Sequence, residues 1–536
     1  MFDILIRNAK IVDGTGSPWF YGDIAVSGER ITDIAPHISG DARHVIDANG
    51  QVASPGFIDM HCHDDTIQLV DEAMVAKVFQ GVTTVVTGNC GFSTFPMVPD
   101  KADLALAHLA SVSGDITKDV LDTSFDAYRN RISRNGSLTN VAGLVGFGSI
   151  RTAVMGFDKR KPTASELQAM ESLIKESMQQ GALGFTLGLL YVPDSYADTE
   201  ELVALCKAAA SMGGIVACHV RTYETHLIES VKEFLEILAC SGARGQLSHL
   251  QAGGKNNWGK VNDVLELMAE ARAKGTDITC DMYPYIAGST SLSTLFPPWT
   301  QEKGGVKRLT ELLEDPTIRE RIHQETVYGG TGNQWETKVP LIGWDRIVVA
   351  SVVNEDLKAF EGKSLGELGR ERGREPFDVL ADLVCLDEGR STSIMFSFDP
   401  KDIETTYKSP LHMVCSDGMW TPQGKPHPRH FGAFARVIRM FVQESPILML
   451  EDAIRKMTSM PAQRLGLMDT GLLRTGMRAD IVVFEPESVK DNATFAEPRQ
   501  LSEGFSHVMV NGKLVLQDGE LTEERPGRAL TRAIRR

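Results

Sequence analysis

The chain has 536 residues, of which 42% are hydrophobic and 24% are charged, and its formal net charge is −16. This composition is typical of a globular protein and excludes disordered, collagen-like and coiled-coil chains, while the acidic balance argues against a nucleic-acid partner. No apolar run reaches the roughly 18 residues of a membrane helix, and the first residues alternate like a strand, so we expect neither a membrane span nor a signal peptide.

Short strands are predicted at both ends of the chain. Residues 1–54 contain alternating runs such as Asp3–Arg7, separated by turn signals. Residues 476–536 have the same character, with a strand pattern at Asp480–Phe484 and another at His507–Gly512 that ends in an Asn-Gly hairpin signal. We predict that the two ends assemble into one small β-sandwich domain.

Residues 55–475 show a different rhythm, in which apolar, β-branched runs alternate with amphipathic helical stretches. Eight such units in succession favour a closed parallel (β/α)₈ TIM-like barrel over the alternative, a doubly wound sheet. The predicted strands are 57–63, 83–89, 140–147, 182–189, 214–221, 245–251, 277–285 and 411–418.

One connection in this barrel is far longer than the others. About 125 residues separate Tyr285 from Leu411, where a crossover of roughly 30 residues would be enough. We therefore predict an insertion at about 286–345, and because long loops at this rim of a barrel are usually functional, we expect it to act as a lid.

Eight cysteines are scattered along the chain without the dense spacing of a disulfide scaffold, so free thiols and a cytoplasmic location are expected. Most lie inside apolar runs, as Cys218 and Cys280 do, and are interpreted as packing residues. Cys90 differs because it closes the second predicted strand.

Metal-binding residue types lie at the carboxyl ends of five predicted strands, and these ends meet at one site in a barrel. His61 and His63 end the first strand and, being two residues apart, point to the same side. Imidazoles with one thiolate suit zinc. The six predicted ligands are His61, His63, Cys90, His219, His249 and Asp417.

The predicted ligands can be divided between two ions. His61, His63 and Asp417 can hold one ion and the histidines of strands five and six a second, with Cys90 reaching one or both. We expect one tightly bound zinc and a second, weaker one. A zinc site lowers the pKa of water toward about 7, and Asp417 is the predicted general base that takes its proton.

Six segments of the sequence carry specific motifs: Pro55–His63, Thr87–Gly91, His219–Arg221, Leu247–Leu250, Ser416–Gly418 and Gly476–Val482. Through these motifs the chain resembles the amidohydrolase superfamily and, within it, the N-acyl-D-amino-acid deacylases, or D-aminoacylases. The resemblance covers nearly the whole chain. Many binuclear amidohydrolases carry a carboxylated lysine on strand four, but Leu183–Leu189 contains no lysine. The D-aminoacylases also lack it and use a cysteine on strand two, which argues against dihydroorotase, hydantoinase and urease chemistry.

The resemblance also implies a set of substrate-binding residues. Tyr191 matches the residue that polarises the scissile carbonyl. The residues that match those binding the substrate α-carboxylate are Lys255, Tyr283 and Arg429, with Ser289 as a further contributor.

From this resemblance we expect zinc-dependent hydrolysis of N-acyl-D-amino acids to a carboxylate and a free D-amino acid. Residues 287–299 contain no Arg or Lys, so we predict a hydrophobic substrate side chain; alternatively, the apolar residues of this segment only pack the base of the lid. These residues are Leu292, Leu295, Phe296 and Trp299. Two other hypotheses for the function are that the protein is another amidohydrolase, acting on a cyclic amide or a D-residue dipeptide, and that it is an inactive barrel scaffold.

Overall fold

Strands from both ends of the chain share one nine-stranded sheet in a computed structural model that describes residues 1–113, 116–329 and 335–531. The first and last parts of the chain meet where strand β5 (Val52–Pro55) pairs antiparallel with strand β18 (Ile481–Phe484). Ile4 and Ile481 share the apolar core of this sheet. The expected β domain built from both termini is confirmed. Its strands are β1 (Phe2–Ile11), β2 (Phe20–Ser27), β3 (Arg30–Ala35), β4 (Ala42–Asp47), β5 (Val52–Pro55), β18 (Ile481–Phe484), β19 (Phe505–Val510), β20 (Lys513–Gln517) and β21 (Glu520–Leu521).

The middle of the chain forms the predicted (β/α)₈ barrel of parallel strands. The third predicted strand is split into two short pieces, β8 and β9. The barrel closes where Cys62, after the first strand, bridges in parallel to Gly418, after the last. The barrel strands are β6 (Phe57–Asp59), β7 (Val82–Thr87), β8 (Asn140–Gly143), β9 (Val145–Gly146), β10 (Gly184–Gly188), β11 (Ile215–His219), β12 (Arg244–Leu247), β13 (Ile278–Met282) and β17 (His412–Val414).

Helices follow the barrel strands and cover their outer side. In α5 (Ala164–Gln179), the Thr163 side chain accepts a hydrogen bond from the backbone N–H of Glu166, and the Glu166 carboxylate accepts one from the backbone N–H of Thr163. Met170 and Ile174 of this helix are buried. Within the described residues, none of the helices has the length and hydrophobicity to cross a membrane. These helices are α1 (Asp71–Val78), α2 (Ala102–Ser113), α3 (Phe125–Asn135), α4 (Phe147–Met155), α5 (Ala164–Gln179), α6 (Thr199–Ser211), α7 (Leu227–Ser241), α8 (Lys260–Ala273), α14 (Pro400–Lys408), α15 (Arg429–Arg436), α16 (Leu450–Met457) and α17 (Ser459–Leu465).

The insertion after the seventh barrel strand is longer than predicted. It has its own apolar core, and its three-stranded antiparallel sheet pairs β14 (Ala287–Ser291) and β15 (Ile347–Ser351) with β16 (Thr392–Phe396). The predicted end at 345 is therefore wrong, because β15 and β16 pair within this unit and not with the barrel. Its helices are α9 (Val306–Leu313), α10 (Pro316–Tyr328), α11 (Val339–Ile342), α12 (Leu365–Arg372) and α13 (Pro376–Leu386).

Parts of two predicted regions lie outside the described residues. They are 330–334 in the insertion and 532–536 at the end of the C-terminal β region.

Candidate active site

The six predicted ligands converge at the carboxyl end of the barrel, and all six are buried. The Cys90 Sγ atom lies 3.3 Å from Nε2 of His61. It lies 3.6 Å from both Nδ1 of His219 and Nε2 of His249. The thiol therefore stands between the imidazole at the end of strand one and those of strands five and six.

The carboxylate of Asp417 forms the other side of this cluster. Its Oδ1 atom lies 3.4 Å from Nε2 of His61 and 3.2 Å from Nε2 of His63. His61 thus faces both the thiol and the carboxylate, which follow the two strands on either side of its own.

The spacing of these donor atoms fits a divalent metal ion. Two ligands at about 2.0–2.3 Å from a tetrahedral zinc stand roughly 3.3–3.6 Å apart, which matches the separations of 3.2–3.6 Å between the facing atoms here. Three sets of three drawn from these six side chains have donor atoms within 4.8 Å of one another. They are His61, His63 and Cys90; Cys90, His219 and His249; and His61, His249 and Asp417.

Three of these six residues have left-handed backbone conformations. The φ angle is 52° at Cys90, 31° at His249 and 47° at Asp417. Such a conformation costs about 1–3 kcal/mol for a residue other than glycine and is concentrated at functional sites. At each of these strand ends the backbone therefore departs from the extended path and turns the donor toward the cluster.

Asp281 is a buried residue of this site that the sequence analysis missed. Its Oδ1 atom lies 3.3 Å from Nδ1 of His61 and accepts a hydrogen bond of 2.8 Å from the backbone N–H of His249. Gln246 donates to the other carboxylate oxygen. A carboxylate in this position orients the imidazole of a metal-binding histidine. The signal was an aspartate between Cys280 and Met282, in the middle of the predicted strand 277–285.

Arg429, predicted to bind the substrate carboxylate, is buried against Asp417. Its Nη1 atom lies 2.7 Å from Oδ2 of Asp417, and Nη2 donates to the backbone carbonyl of Ser289. Burial alone would raise the pKa of Asp417, but Arg429 and His61 outweigh it and hold that pKa well below its ordinary value. The Asp417 carboxylate is therefore ionised at neutral pH.

A cavity that opens to solvent adjoins the cluster. Three of the residues predicted to contact substrate line it, namely Tyr191, Tyr283 and Ser289. The Tyr191 hydroxyl lies 3.3 Å from Oγ1 of Thr290, and the Tyr283 hydroxyl donates to the side chain of Gln251.

Lys255 is exposed and does not line the cavity, which corrects its predicted placement. The backbone turns at Gly254, whose φ is +82° and whose N–H bonds to the carbonyl of Ser397, so Lys255 begins a short surface turn. The cavity instead contains Lys338, from the insertion, whose Nζ lies 3.5 Å from Oε1 of Glu224. The sequence carried no signal for this lysine because it belongs to the insertion and not to a barrel strand.

The apolar residues predicted to surround the substrate side chain pack elsewhere. Leu292, Leu295 and Phe296 are buried in the core of the insertion, with Trp299 against them. The alternative interpretation, that they pack the base of the insertion, is therefore the better one. Other apolar residues line the cavity, namely Val112, Leu190, Ile342, Met395, Phe398 and Met419.

Comparison with known proteins places this site in a family. The model of the amidohydrolase family matches residues 44–285 and 380–516, leaving out most of the insertion. The chain is 32% identical to a D-aminoacylase of Alcaligenes xylosoxydans xylosoxydans, over 99% of its own length and 98% of the relative's. It is 34% identical to an N-acyl-D-aspartate deacylase of the same organism, over 98% of its own length and 95% of the relative's.

A solved structure agrees with these sequence relationships. The N-acyl-D-glutamate deacylase of Bordetella bronchiseptica, complexed with zinc and a phosphonate inhibitor, superimposes with a TM-score of 0.83 at 31% identity, covering 99% of each chain. The chain therefore belongs to the amidohydrolase family and, within it, to the N-acyl-D-amino-acid deacylases, or D-aminoacylases.

Proposed function

We propose that this protein hydrolyses the amide bond of N-acyl-D-amino acids, releasing a carboxylate and a free D-amino acid. The observation that carries the proposal is the buried cluster of four imidazoles, one thiol and one carboxylate, with facing atoms 3.2–3.6 Å apart, beside a cavity that contains a lysine. The relatives named above act on N-acyl-D-amino acids and support the choice of substrate.

The six clustered side chains are the proposed zinc ligands, with one ion held tightly and a second more weakly. A bound zinc ion supplies Lewis acidity, which polarises the scissile carbonyl and makes water a stronger acid at neutral pH. The set consists of His61, His63, Cys90, His219, His249 and Asp417.

Asp417 acts as the general base in the proposed reaction. Its Oδ1 atom takes a proton from the attacking water as the new C–O bond forms, and returns that proton to the leaving nitrogen as the C–N bond breaks. Arg429 holds the other oxygen, so Oδ1 stays turned toward His61 and His63. Tyr191 donates a hydrogen bond from its hydroxyl to the carbonyl oxygen as negative charge develops there.

The α-carboxylate of the substrate requires a cation, because a buried carboxylate without a partner is costly. Lys338 fills this role in our proposal, replacing Lys255, and Tyr283 and Ser289, which also line the cavity, add hydroxyl donors. The apolar remainder of the lining receives a hydrophobic side chain.

Turnover of a matched panel tests the proposal. The zinc-loaded protein is assayed on the N-acetyl derivatives of D- and L-Met, D- and L-Leu and D- and L-Glu, with hydantoin as a cyclic amide. We expect kcat/KM for at least one D-substrate to exceed that for its L-enantiomer and for hydantoin by about tenfold or more. Faster hydrolysis of hydantoin, or no turnover at all, would reject the proposal.

A further inference from the structure

Lys77, on α1, is a fully buried cation beside the site. Its Nζ atom lies 2.7 Å from Oδ2 of Asp59 and 3.2 Å from Oδ2 of Asp64, and donates a hydrogen bond of 2.8 Å to Oγ of Ser416. A buried lysine is rare unless it is paired. Here one ammonium group serves two buried carboxylates and a hydroxyl.

The residues around Lys77 belong to the first and last barrel strands. Asp59 accepts hydrogen bonds from both the backbone N–H of Ser416, at 2.8 Å, and its hydroxyl, at 2.5 Å. Among the described residues, Cys62–Gly418 is the one β-bridge between these two strand ends, in place of a continuous ladder. The cluster of Lys77, Asp59, Asp64 and Ser416 therefore links these two strands, a role that continuous backbone hydrogen bonding fills between other barrel strands.

Three of the proposed zinc ligands lie where the first and last barrel strands meet. His61 and His63 follow Asp59, and Asp417 follows Ser416. The backbone N–H of Asp417 bonds to the carbonyl of His61 at 2.7 Å, and that of His63 bonds to the carbonyl of Gly418 at 2.9 Å. A change in the separation of the two strand ends would move Asp417 relative to both imidazoles.

The space between the carboxylates of Asp59 and Asp64 is already occupied by the Lys77 ammonium group. Asp59, Cys62 and Asp64 have donor atoms close enough to hold an ion, but the Lys77 ammonium lies against both carboxylates. The absence of a side chain at Gly418 leaves room for this ammonium group, since a Cβ atom there would lie 3.0 Å from Nζ of Lys77 and 2.9 Å from Oγ of Ser416.

We propose that Lys77 is a positioning residue, an internal cation that fixes the first and eighth strand ends so that His61, His63 and Asp417 keep the geometry that binds zinc. It acts through Asp59 and Ser416 and does not contact the substrate. The proposal rests on the proposed function for the identity of the ligands, but metal affinity tests it without any substrate.

Lys456, on α16, offers a matched control. It lies at the start of the last barrel strand, β17, whereas Lys77 lies beyond the end of that strand. It is also a fully buried lysine, and its Nζ donates to the backbone carbonyls of Ser409, at 2.5 Å, and His412, at 3.4 Å. Removing either lysine leaves buried polar groups unpaired, so both changes are expected to lower stability. Only Lys77 lies beside the proposed ligands.

The test compares Lys77→Met with Lys456→Met in the full chain, measuring zinc affinity by chelator competition, thermal unfolding, kcat and KM. We expect Lys77→Met to weaken zinc binding by about 10–100-fold, as other changes behind metal ligands do, and to lower kcat by at least about tenfold with KM nearly unchanged. Lys456→Met should lower the unfolding temperature while zinc affinity stays within about twofold of wild type.

Equal zinc affinity in folded Lys77→Met and wild type would overturn the proposal, as would an equal loss in Lys456→Met. If Lys77→Met does not fold, Ser416→Ala replaces it, because this change keeps the Lys77–Asp59 pair and removes the hydrogen bonds that the Ser416 hydroxyl makes with Lys77 and Asp59. Weaker zinc binding in Ser416→Ala supports the proposal, and unchanged binding rejects it. If wild type binds zinc but hydrolyses no N-acyl-D-amino acid, the proposed function fails while the affinity comparison still decides the role of Lys77.

Discussion

Arg429 and Asp417 form a buried ion pair in which Nη1 lies 2.7 Å from Oδ2, while the other oxygen of the carboxylate faces His61 and His63. The two oxygens of Asp417 therefore have different neighbours. The guanidinium fixes the rotation of the carboxylate and leaves Oδ1 for the site, which is the arrangement that a base with one working oxygen requires.

Asp417→Asn tests the role of this carboxylate as the base. The amide retains the shape of the side chain but cannot accept the proton, so we expect kcat to fall by about 10²–10⁴-fold while the tightly bound zinc remains. Steady-state kinetics with metal analysis on the same samples provides the measurement. Retained activity with an unchanged acid limb of the pH profile would assign the base to another group.

The convergence of the six candidate ligands could be predicted from sequence because it follows from local geometry. Strand side chains alternate, and the carboxyl ends of all barrel strands meet, so placing His61, Cys90 and His219 at strand ends was enough to bring them together. The left-handed backbone at Cys90 could not be predicted, since cysteine does not favour this conformation.

The cavity wall was predicted less well because it depends on contacts between distant segments. Lys338 is brought to the barrel by its neighbour Glu336, which accepts hydrogen bonds from the backbone N–H of Thr225 and the hydroxyl of Thr222. No local pattern indicates such a contact across more than 100 residues. The exposed position of Lys255 could not be predicted for the same reason.

Cys90 should bind metal and not merely pack, because its sulfur faces three imidazoles at 3.3–3.6 Å. We expect Cys90→Ala to lower zinc content and to reduce kcat by orders of magnitude with little change in the circular dichroism spectrum. Cys206→Ala is the control, since Cys206 is a buried thiol on α6, outside the candidate ligand groups. Full zinc occupancy and normal turnover in Cys90→Ala would make this cysteine a packing residue.

Lys338 and Lys255 provide a direct comparison for the substrate carboxylate. Since Lys338 lines the cavity and Lys255 is exposed, we expect Lys338→Met to raise KM for N-acetyl-D-Met by about tenfold or more, the cost of losing a charge-assisted hydrogen bond. Lys255→Met should leave KM within about twofold of wild type. The opposite result would mean that the loop after β12 moves Lys255 into the cavity when substrate binds.

The remaining prediction concerns the side chain of the substrate. Selecting N-acyl-D-glutamate or N-acyl-D-aspartate would require a further cation, because a second buried carboxylate needs its own partner. Among the described residues that line the cavity, Lys338 is the single Lys or Arg, and we assign it to the α-carboxylate. Arg221, another cation near this end of the barrel, is paired with Glu233 at 2.7 Å.

The rest of the lining includes six apolar side chains, among them Leu190, Met395 and Phe398, and each methylene of a substrate buried against them contributes about 0.8 kcal/mol. We therefore expect kcat/KM for N-acetyl-D-Met, D-Leu or D-Phe to exceed that for N-acetyl-D-Glu by at least about tenfold, or ~1.4 kcal/mol of transition-state discrimination. Competition between N-acetyl-D-Leu and N-acetyl-D-Glu in one reaction measures this ratio directly. A preference for D-Glu that disappears in Lys338→Met would instead assign Lys338 to the side-chain carboxylate, and the α-carboxylate would then have to bind Arg429 in competition with Asp417.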